Sequence, residues 1–283
     1  MTSNCRICKT TTHPFMSFGK MPIANGFLDS TDFEREYFYE LKPMFCENCL
    51  TFQISEQPDP EKMFHQNYAF FSQTSNRMVN HFKSYADWVT EQYLTNVDPF
   101  VVEIGSNDGS MLKNFSRKNI RHLGIEPSSN VAEEARKHGV NTLCSFFNLT
   151  TAKKIASEHG YADALIAANV MCHIPDLHGL AQGIDHLLNP MGVLVFEEPY
   201  LGDMIKNTAY DQIYDEHVYI FSARSVINIF SKHGFELINV KPQSTHGGSM
   251  RYILARKGKR AVSPNIEKQL NYEDKNNLHI RST

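Results

Sequence analysis

Four cysteines in two Cys-x-x-Cys pairs, Cys5/Cys8 and Cys46/Cys49, have the types and spacing of a metal site. Each pair offers two thiolates about one hairpin turn apart, and two pairs complete a tetrahedral S4 set of the kind zinc takes. Four protein ligands leave no open coordination position, so the expected ion is one structural Zn2+. A second constellation lies at Phe100–Gly109, where an apolar run ends in Glu103-Ile-Gly105-Ser106-Asn107-Asp-Gly109. The two glycines let a backbone approach a ligand closely. The spacing differs from the Gly-x-Gly-x-x-Gly turn that seats a pyrophosphate on a helix N-terminus. Glu103 and Asp108 make the rim acidic, which disfavours phosphate and favours a cation such as the sulfonium and amino group of S-adenosylmethionine. Glu126, at the end of the next apolar run, can accept both ribose hydroxyls, and Pro127 turns the chain into a helix. Phe146 and Asn148 fall where an adenine ring would lie. Asn169 and His173 close a later run, Asn169-Val-Met-Cys-His173-Ile, and should face the methyl end of that cofactor.

A third group follows in a long insert, Glu198-Pro-Tyr200 through Tyr214-Asp-Glu216-His217. His217 can serve as a general base near neutral pH, oriented by a carboxylate. Tyr214 and Tyr68 can donate hydrogen bonds to a developing oxyanion. In His246-Gly-Gly-Ser249-Met-Arg251 the glycines allow close approach, and Arg251 offers a bidentate fork for phosphate or carboxylate. Tyr200, His246, Ser249 and Arg251 are the expected substrate contacts.

The elements that must hold these residues are legible in outline. Residues 1–58 are turn-rich and need a staple, as a zinc-binding domain would have. Residues 59–95 carry a helical period, with Met78, Phe82, Tyr85, Ala86, Val89 and Tyr93 at three- and four-residue steps. An aromatic cluster at 67–74 precedes it. Strands are expected at 100–104, 121–126, 141–144, 163–169, 192–197, 235–241 and 250–256, and helices at 109–118, 128–138, 150–158, 177–188 and 222–233. Ser222 can cap the last helix and Gly234 can end it. Repeated βα units predict an α/β fold, a Rossmann-like, seven-stranded doubly wound sheet over 96–258. The strand pair at the end matches the class I S-adenosylmethionine-dependent methyltransferase variant of that architecture. Residues 259–283 read as a polar tail with one weak helical run. Cys144 and Cys172 are expected as buried packing thiols.

The 283 residues carry a net charge of −3, which gives no electrostatic case for nucleic acid. No apolar run is long enough to span a membrane, and the N-terminus lacks the pattern of a signal peptide, so a cytoplasmic location is expected.

The ordered motifs Cys-x-x-Cys…Cys-x-x-Cys, Glu-Ile-Gly-Ser-Asn-Asp-Gly, Asn-Val-x-x-His-Ile, Tyr-Asp-Glu-His and His-Gly-Gly-Ser-x-Arg resemble the nucleotide-sugar C-methyltransferases. The resemblance runs from Cys5 to about Arg256. It implies 3-C-methylation of a nucleoside-diphosphate 4-keto-deoxysugar, with S-adenosylmethionine as cofactor and no catalytic metal. It also implies that His217 takes the proton α to the ketone. Tyr214 and Glu216 would orient that base or the sugar, while Tyr68 and His173 would hold the keto oxygen and the enolate. Relatives continue into a second α/β domain that helps bind the nucleotide, and this chain stops where that domain would begin. An O- or N-methyltransferase, or a non-catalytic zinc-module binding protein, remains open at this stage. The nucleotide, the sugar and the oligomeric state are not legible.

Overall fold

A computed structural model describes residues 3–64, 66 and 68–280. Asn67 of the aromatic cluster, and residues 1–2 and 281–283 of the expected terminal units, lie outside the described residues. The N-terminal segment builds short strands: β1 (Ser3–Asn4), β2 (Thr11–Thr12), β3 (Lys20–Pro22), β4 (Phe38–Glu40), β5 (Pro43–Cys46) and β6 (Thr51–Ile54). After α1 (Pro60–Met63), helix α2 (Asn76–Tyr93) starts where Ser75 Oγ accepts the Met78 N–H at 3.3 Å. It buries Phe82, Tyr85, Ala86 and Val89, the face that the spacing predicts.

The core then alternates β7 (Phe100–Ile104), α3 (Lys113–Ser116), β8 (Arg121–Glu126), α4 (Ser129–Lys137), β9 (Thr142–Cys144), α5 (Leu149–His159), β10 (Ala162–Ala168), α6 (Leu177–Leu187) and β11 (Leu188–Pro199). Next come α7 (Leu201–Asn207), β12 (Tyr219–Ile220), α8 (Ala223–Phe230), β13 (Phe235–Gln243), β14 (Ser249–Arg256) and α9 (Asn265–Lys275). Seven strands join in the order β13-β14-β11-β10-β7-β8-β9. Strands β11 to β9 of this row pair in parallel, and β14 is antiparallel to both neighbours. The chain leaves β7 toward β8 and β9 on one side and returns to β10 and β11 on the other. That reversal opens a crevice beyond the carboxyl ends of β7 and β10, where ligands of open α/β sheets bind.

Several expectations change in three dimensions. Helix α3 is shorter than the 109–118 run, because Gly109 sits at φ +76 and a turn follows before helical pairing starts. Cys144 is exposed, not buried, since β9 is the sheet's edge; Cys172 is buried as expected. The tail forms a packed helix, α9, with Ile266 and Glu273 buried, and Leu278 beyond it is buried as well. Strand β12, inside the insert, pairs with β6 of the N-terminal segment, Tyr219 opposite Gln53 and Ile220 opposite Phe52. Core and zinc segment therefore share one small sheet, β12-β6-β5. Ser222 and Ser225 cap α8 reciprocally, and Gly234 follows it at φ +76.

Candidate active site

The two cysteine pairs converge. Cys5 Sγ lies 3.5 Å from Cys49 Sγ, and Cys8 Sγ lies 3.4 Å from Cys46 Sγ. All four sulfurs are mutually within 4.8 Å. Tetrahedral zinc with bonds of about 2.3 Å sets its sulfurs about 3.8 Å apart, so the set fits the ion. Both knuckles share one turn, in which Lys9 N–H donates to Cys5 O and Leu50 N–H to Cys46 O, with Lys9 and Leu50 left-handed. Gln53 donates to Cys5 Sγ at 3.1 Å, and the Cys49 hydrogen bond pulls the Cys5 thiol below its usual range, which favours the thiolate that the ion needs.

A cavity of about 360 Å3 opens at the crevice beyond β7 and β10. One lobe is lined by Glu103, Gly105, Ser106, Asn107, Glu126, Pro127, Phe146 and Asn169. Gly105 is left-handed at φ +66, and a Cβ there would meet Val170 Cγ2 at 2.4 Å. Asn107 Oδ1 accepts from Ser72 N–H at 3.0 Å, and its Nδ2 donates to Phe70 O at 3.1 Å. Asp108 Oδ2 accepts from Gln73 N–H at 2.8 Å. These bonds tie the aromatic segment 70–73 over the glycine turn, so Asp108 serves the loop. Glu126 receives the Asn107 and Ser128 N–H groups at 3.0 and 2.8 Å.

Two buried polar atoms of this lobe, Glu103 Oε2 and Ser106 Oγ, have no hydrogen-bond partner among the described residues. Burial, reinforced by Asp108 and Glu126, pushes the Glu103 carboxyl well above the usual carboxylate range. A partnerless buried acid beside a second acid is relieved by a cation with hydrogens to donate. The lobe therefore fits the charge and donors of S-adenosylmethionine.

The other lobe gathers Tyr68, His173, Tyr214, Glu216, His217 and His246, with Asn25 and Phe64 beside them. His217 Nδ1 lies 2.8 Å from Gln212 O. A carbonyl only accepts, so Nδ1 carries the proton and Nε2 keeps its lone pair. The expected orienting carboxylate is thus a backbone carbonyl. Burial lowers the His217 pKa to about 4, not near neutrality. Tyr214 lies 4.4 Å from His217 between ring centroids, and His173 stacks between His217 and Phe64 at 5.4 and 5.6 Å. Glu216 does not reach His217; it accepts from Asn25 Nδ2 at 2.6 Å and Tyr68 Oη at 3.3 Å. Asn169, left-handed at φ 55, donates its Nδ2 to His246 Nε2 at 2.9 Å and joins the two lobes.

The sequence comparisons coincide with these two sites. The "Methyltransferase domain" family matches residues 77–240, more than half of the chain. The chain belongs to the methyltransferase family. The "Putative zinc binding domain" family matches residues 5–64, which hold the four-cysteine cluster. The cofactors of this pair of domains are S-adenosylmethionine and zinc. C-methyltransferase NovU of Streptomyces niveus is 31% identical over 248 residues, 87% of this chain. The chain spans 59% of that relative's length. Among solved structures, magnesium protoporphyrin IX methyltransferase of Synechocystis PCC 6803 overlaps 63% of this chain and 83% of its own, at 17% identity and TM-score 0.47. An S-adenosylmethionine-dependent methyltransferase of Clostridium acetobutylicum ATCC 824 overlaps 62% and 92%, at 12% identity and TM-score 0.48.

Five expected contacts do not line this methyltransferase's cavity, because their polar or backbone groups are committed elsewhere. Tyr200 Oη donates to Glu273 at 3.1 Å and accepts from Gln269 at 2.7 Å. Ser249 Oγ donates to Thr245 O. Arg251 pairs with buried Glu197 and lies 3.8 Å over the Tyr85 ring. Asn148 caps α5, accepting from Thr151 N–H at 2.9 Å. Gly109 faces Val140, where a Cβ would close to 2.8 Å. Conversely, Asn25, Phe64, Phe70 and Gln212 line the cavity unforeseen. Phe70 lies in the aromatic cluster and Gln212 in the insert, but nothing in the sequence marked either, or Asn25 and Phe64, as a cavity contact.

Proposed function

We propose that this chain is an S-adenosylmethionine-dependent C-methyltransferase acting at C3 of a nucleoside-diphosphate 4-keto-deoxysugar. What carries the reading is the His217 Nε2 lone pair, which shares one cavity with the partnerless Glu103 carboxyl. A carbon must lose a proton before it can accept a methyl group, and a ketone next to it acidifies that C–H. S-adenosylmethionine supplies the methyl group. Glu103, Ser106 and the Gly105–Asn107 turn would hold it, with Glu126 toward the ribose and Phe146 toward the adenine. His217 Nε2 takes the C3 proton and gains it as imidazolium N–H, while Nδ1–H stays on the Gln212 carbonyl. A base of such low pKa is weak, so much of the driving force must come from stabilising the enolate oxygen. The Tyr214 hydroxyl, kept protonated by burial, and the buried His173 ring supply that stabilisation, joined by Tyr68 when its one O–H turns from Glu216 to the enolate oxygen. Glu216 holds Tyr68 in place. Segment 68–74 and the zinc unit wall the cavity from water. In this reading residues 1–58 are the zinc unit, 59–95 the connector, 96–258 the catalytic core and 259–283 the tail, in a cytoplasmic enzyme.

The test is incubation with S-adenosylmethionine and a panel of nucleotide 4-keto sugars, with products read by mass spectrometry. Retention of a deuterium at C3 in a methylated product would place the methyl on oxygen or nitrogen and refute the enolate route. Solvent exchange of that deuterium without methyl donor, lost in His217→Ala, is the expected result.

A further inference from the structure

Beside the base lies a thiol for which the reaction above has no use. Cys172 is fully buried in the turn that carries His173. Glu198 Oε1 anchors this turn, accepting the Val170 and Met171 N–H groups at 3.0 and 2.7 Å. Cys172 Sγ and one ring nitrogen each of His173 and His217 all lie within 4.8 Å of one another. His173 Nε2 is buried and has no hydrogen-bond partner among the described residues. His217 Nε2 has its lone pair free, since Nδ1–H is spent on the Gln212 carbonyl. A carbonyl behind an imidazole is the usual outer support of a metal-bound histidine.

We propose that Cys172, His173 and His217 form a second metal site, which takes a soft divalent cation such as Zn2+ or Co2+ from the cavity side. One sulfur and two imidazoles match the ligand preference of these ions. Bonds of about 2.0–2.3 Å require ligand atoms about 3.3–3.8 Å apart, so the side chains would close by at most about 1.5 Å from the 4.8 Å bound. Three protein ligands leave the fourth position open toward the cavity, unlike the closed four-cysteine site. On binding, the Cys172 S–H bond breaks, the sulfur–metal bond forms and the proton departs. The Glu198 carboxyl, whose Oε2 is partnerless among the described residues, is the neighbouring acceptor on its way to water. The occupied site engages His217 Nε2, so metal binding and proton abstraction exclude one another. This last consequence rests on the function proposed above; the site itself does not.

The test starts from protein whose four-cysteine site is already filled with zinc. Co2+ binds such ligands more weakly than Zn2+ and leaves that zinc in place. Titration with Co2+ is expected to add about one equivalent, with a thiolate-to-metal charge-transfer band. Cys172→Ser should abolish the band and keep the first zinc and the metal-free turnover. Micromolar Zn2+ should slow the wild type at least tenfold and spare Cys172→Ser. Wild type that binds no metal beyond its first zinc, or a band that survives in Cys172→Ser, would overturn the site. If the variant does not fold, the cadmium resonance of wild type decides. A second signal of mixed sulfur–nitrogen character upholds the site, and a single S4 signal removes it. A site that fills without slowing turnover would remove the His217 assignment and leave the metal site intact.

Discussion

At the scale of single residues, the cavity is a place where burial has set the protonation of each group. His217 is neutral because its ring is surrounded, and that leaves its outer nitrogen free to take a proton. Replacing it with alanine is expected to lower turnover about 10²–10⁴-fold while cofactor affinity by calorimetry changes less than about threefold. The acid limb of kcat/KM for the free enzyme should lie near pH 4, where burial puts this ring. Rate falls as pH drops through that value, because the proton then occupies Nε2. A limb near 6.5 would mean a solvated base and another residue. Glu103 is shifted in the opposite sense, because burial favours the protonated carboxyl in the empty site. A cation settling beside it drives the proton off. Binding of S-adenosylmethionine should therefore be linked to proton release, read as a calorimetric enthalpy that varies with buffer ionisation across a pH series. Glu103→Gln should remove that dependence and weaken binding by about 1.5–3 kcal/mol, roughly ten- to a hundredfold. The same variant should melt at or above the wild-type temperature without cofactor, since a buried acid has gone.

At the scale of elements, the N-terminal four-cysteine segment and the proposed base are joined through a strand only two residues long. His217 stands next to Val218, whose carbonyl accepts the Ile54 N–H at 3.0 Å, and Tyr219 then pairs with Gln53. Gln53 in turn donates to Cys5 Sγ. Zinc held by Cys5 would thus steady, from outside the cavity, the backbone that carries the imidazole. Removing zinc with a chelator should abolish methyl transfer and lower the melting temperature, while cofactor affinity stays within a few-fold of its starting value. Activity that survives full zinc loss would show that β6 holds its place without the ion. This dependence was hidden from the sequence because β12 carries no strand signal of its own. Tyr219 and Ile220 pair only because β6 offers an edge.

At the scale of the whole molecule, the tail closes the fold from the other end. Glu273 of α9 is buried and accepts the Ala223 and Arg224 N–H groups at 2.7 and 3.1 Å, capping α8 from a distant part of the chain. It also takes the Tyr200 hydroxyl. Glu273→Ala should cost about 1–3 kcal/mol in denaturant unfolding, because two buried N–H groups and a phenol lose their acceptor. An unchanged midpoint would mean that the tail is not docked in solution. The sequence by itself determined what is local. The Cys-x-x-Cys pairs, the Gly105–Gly109 turn, the strand-end acid at 126 and the α2 stripe each depend on residues a few positions apart, whose types and periods fix their conformation. Only the tertiary structure decided which polar groups remain free. Tyr200, Ser249, Arg251 and Asn148 have the chemistry to bind a ligand, but Glu273, Thr245, Glu197 and Thr151 occupy them first. Such competition is settled by neighbours far along the chain, and no spacing rule records it.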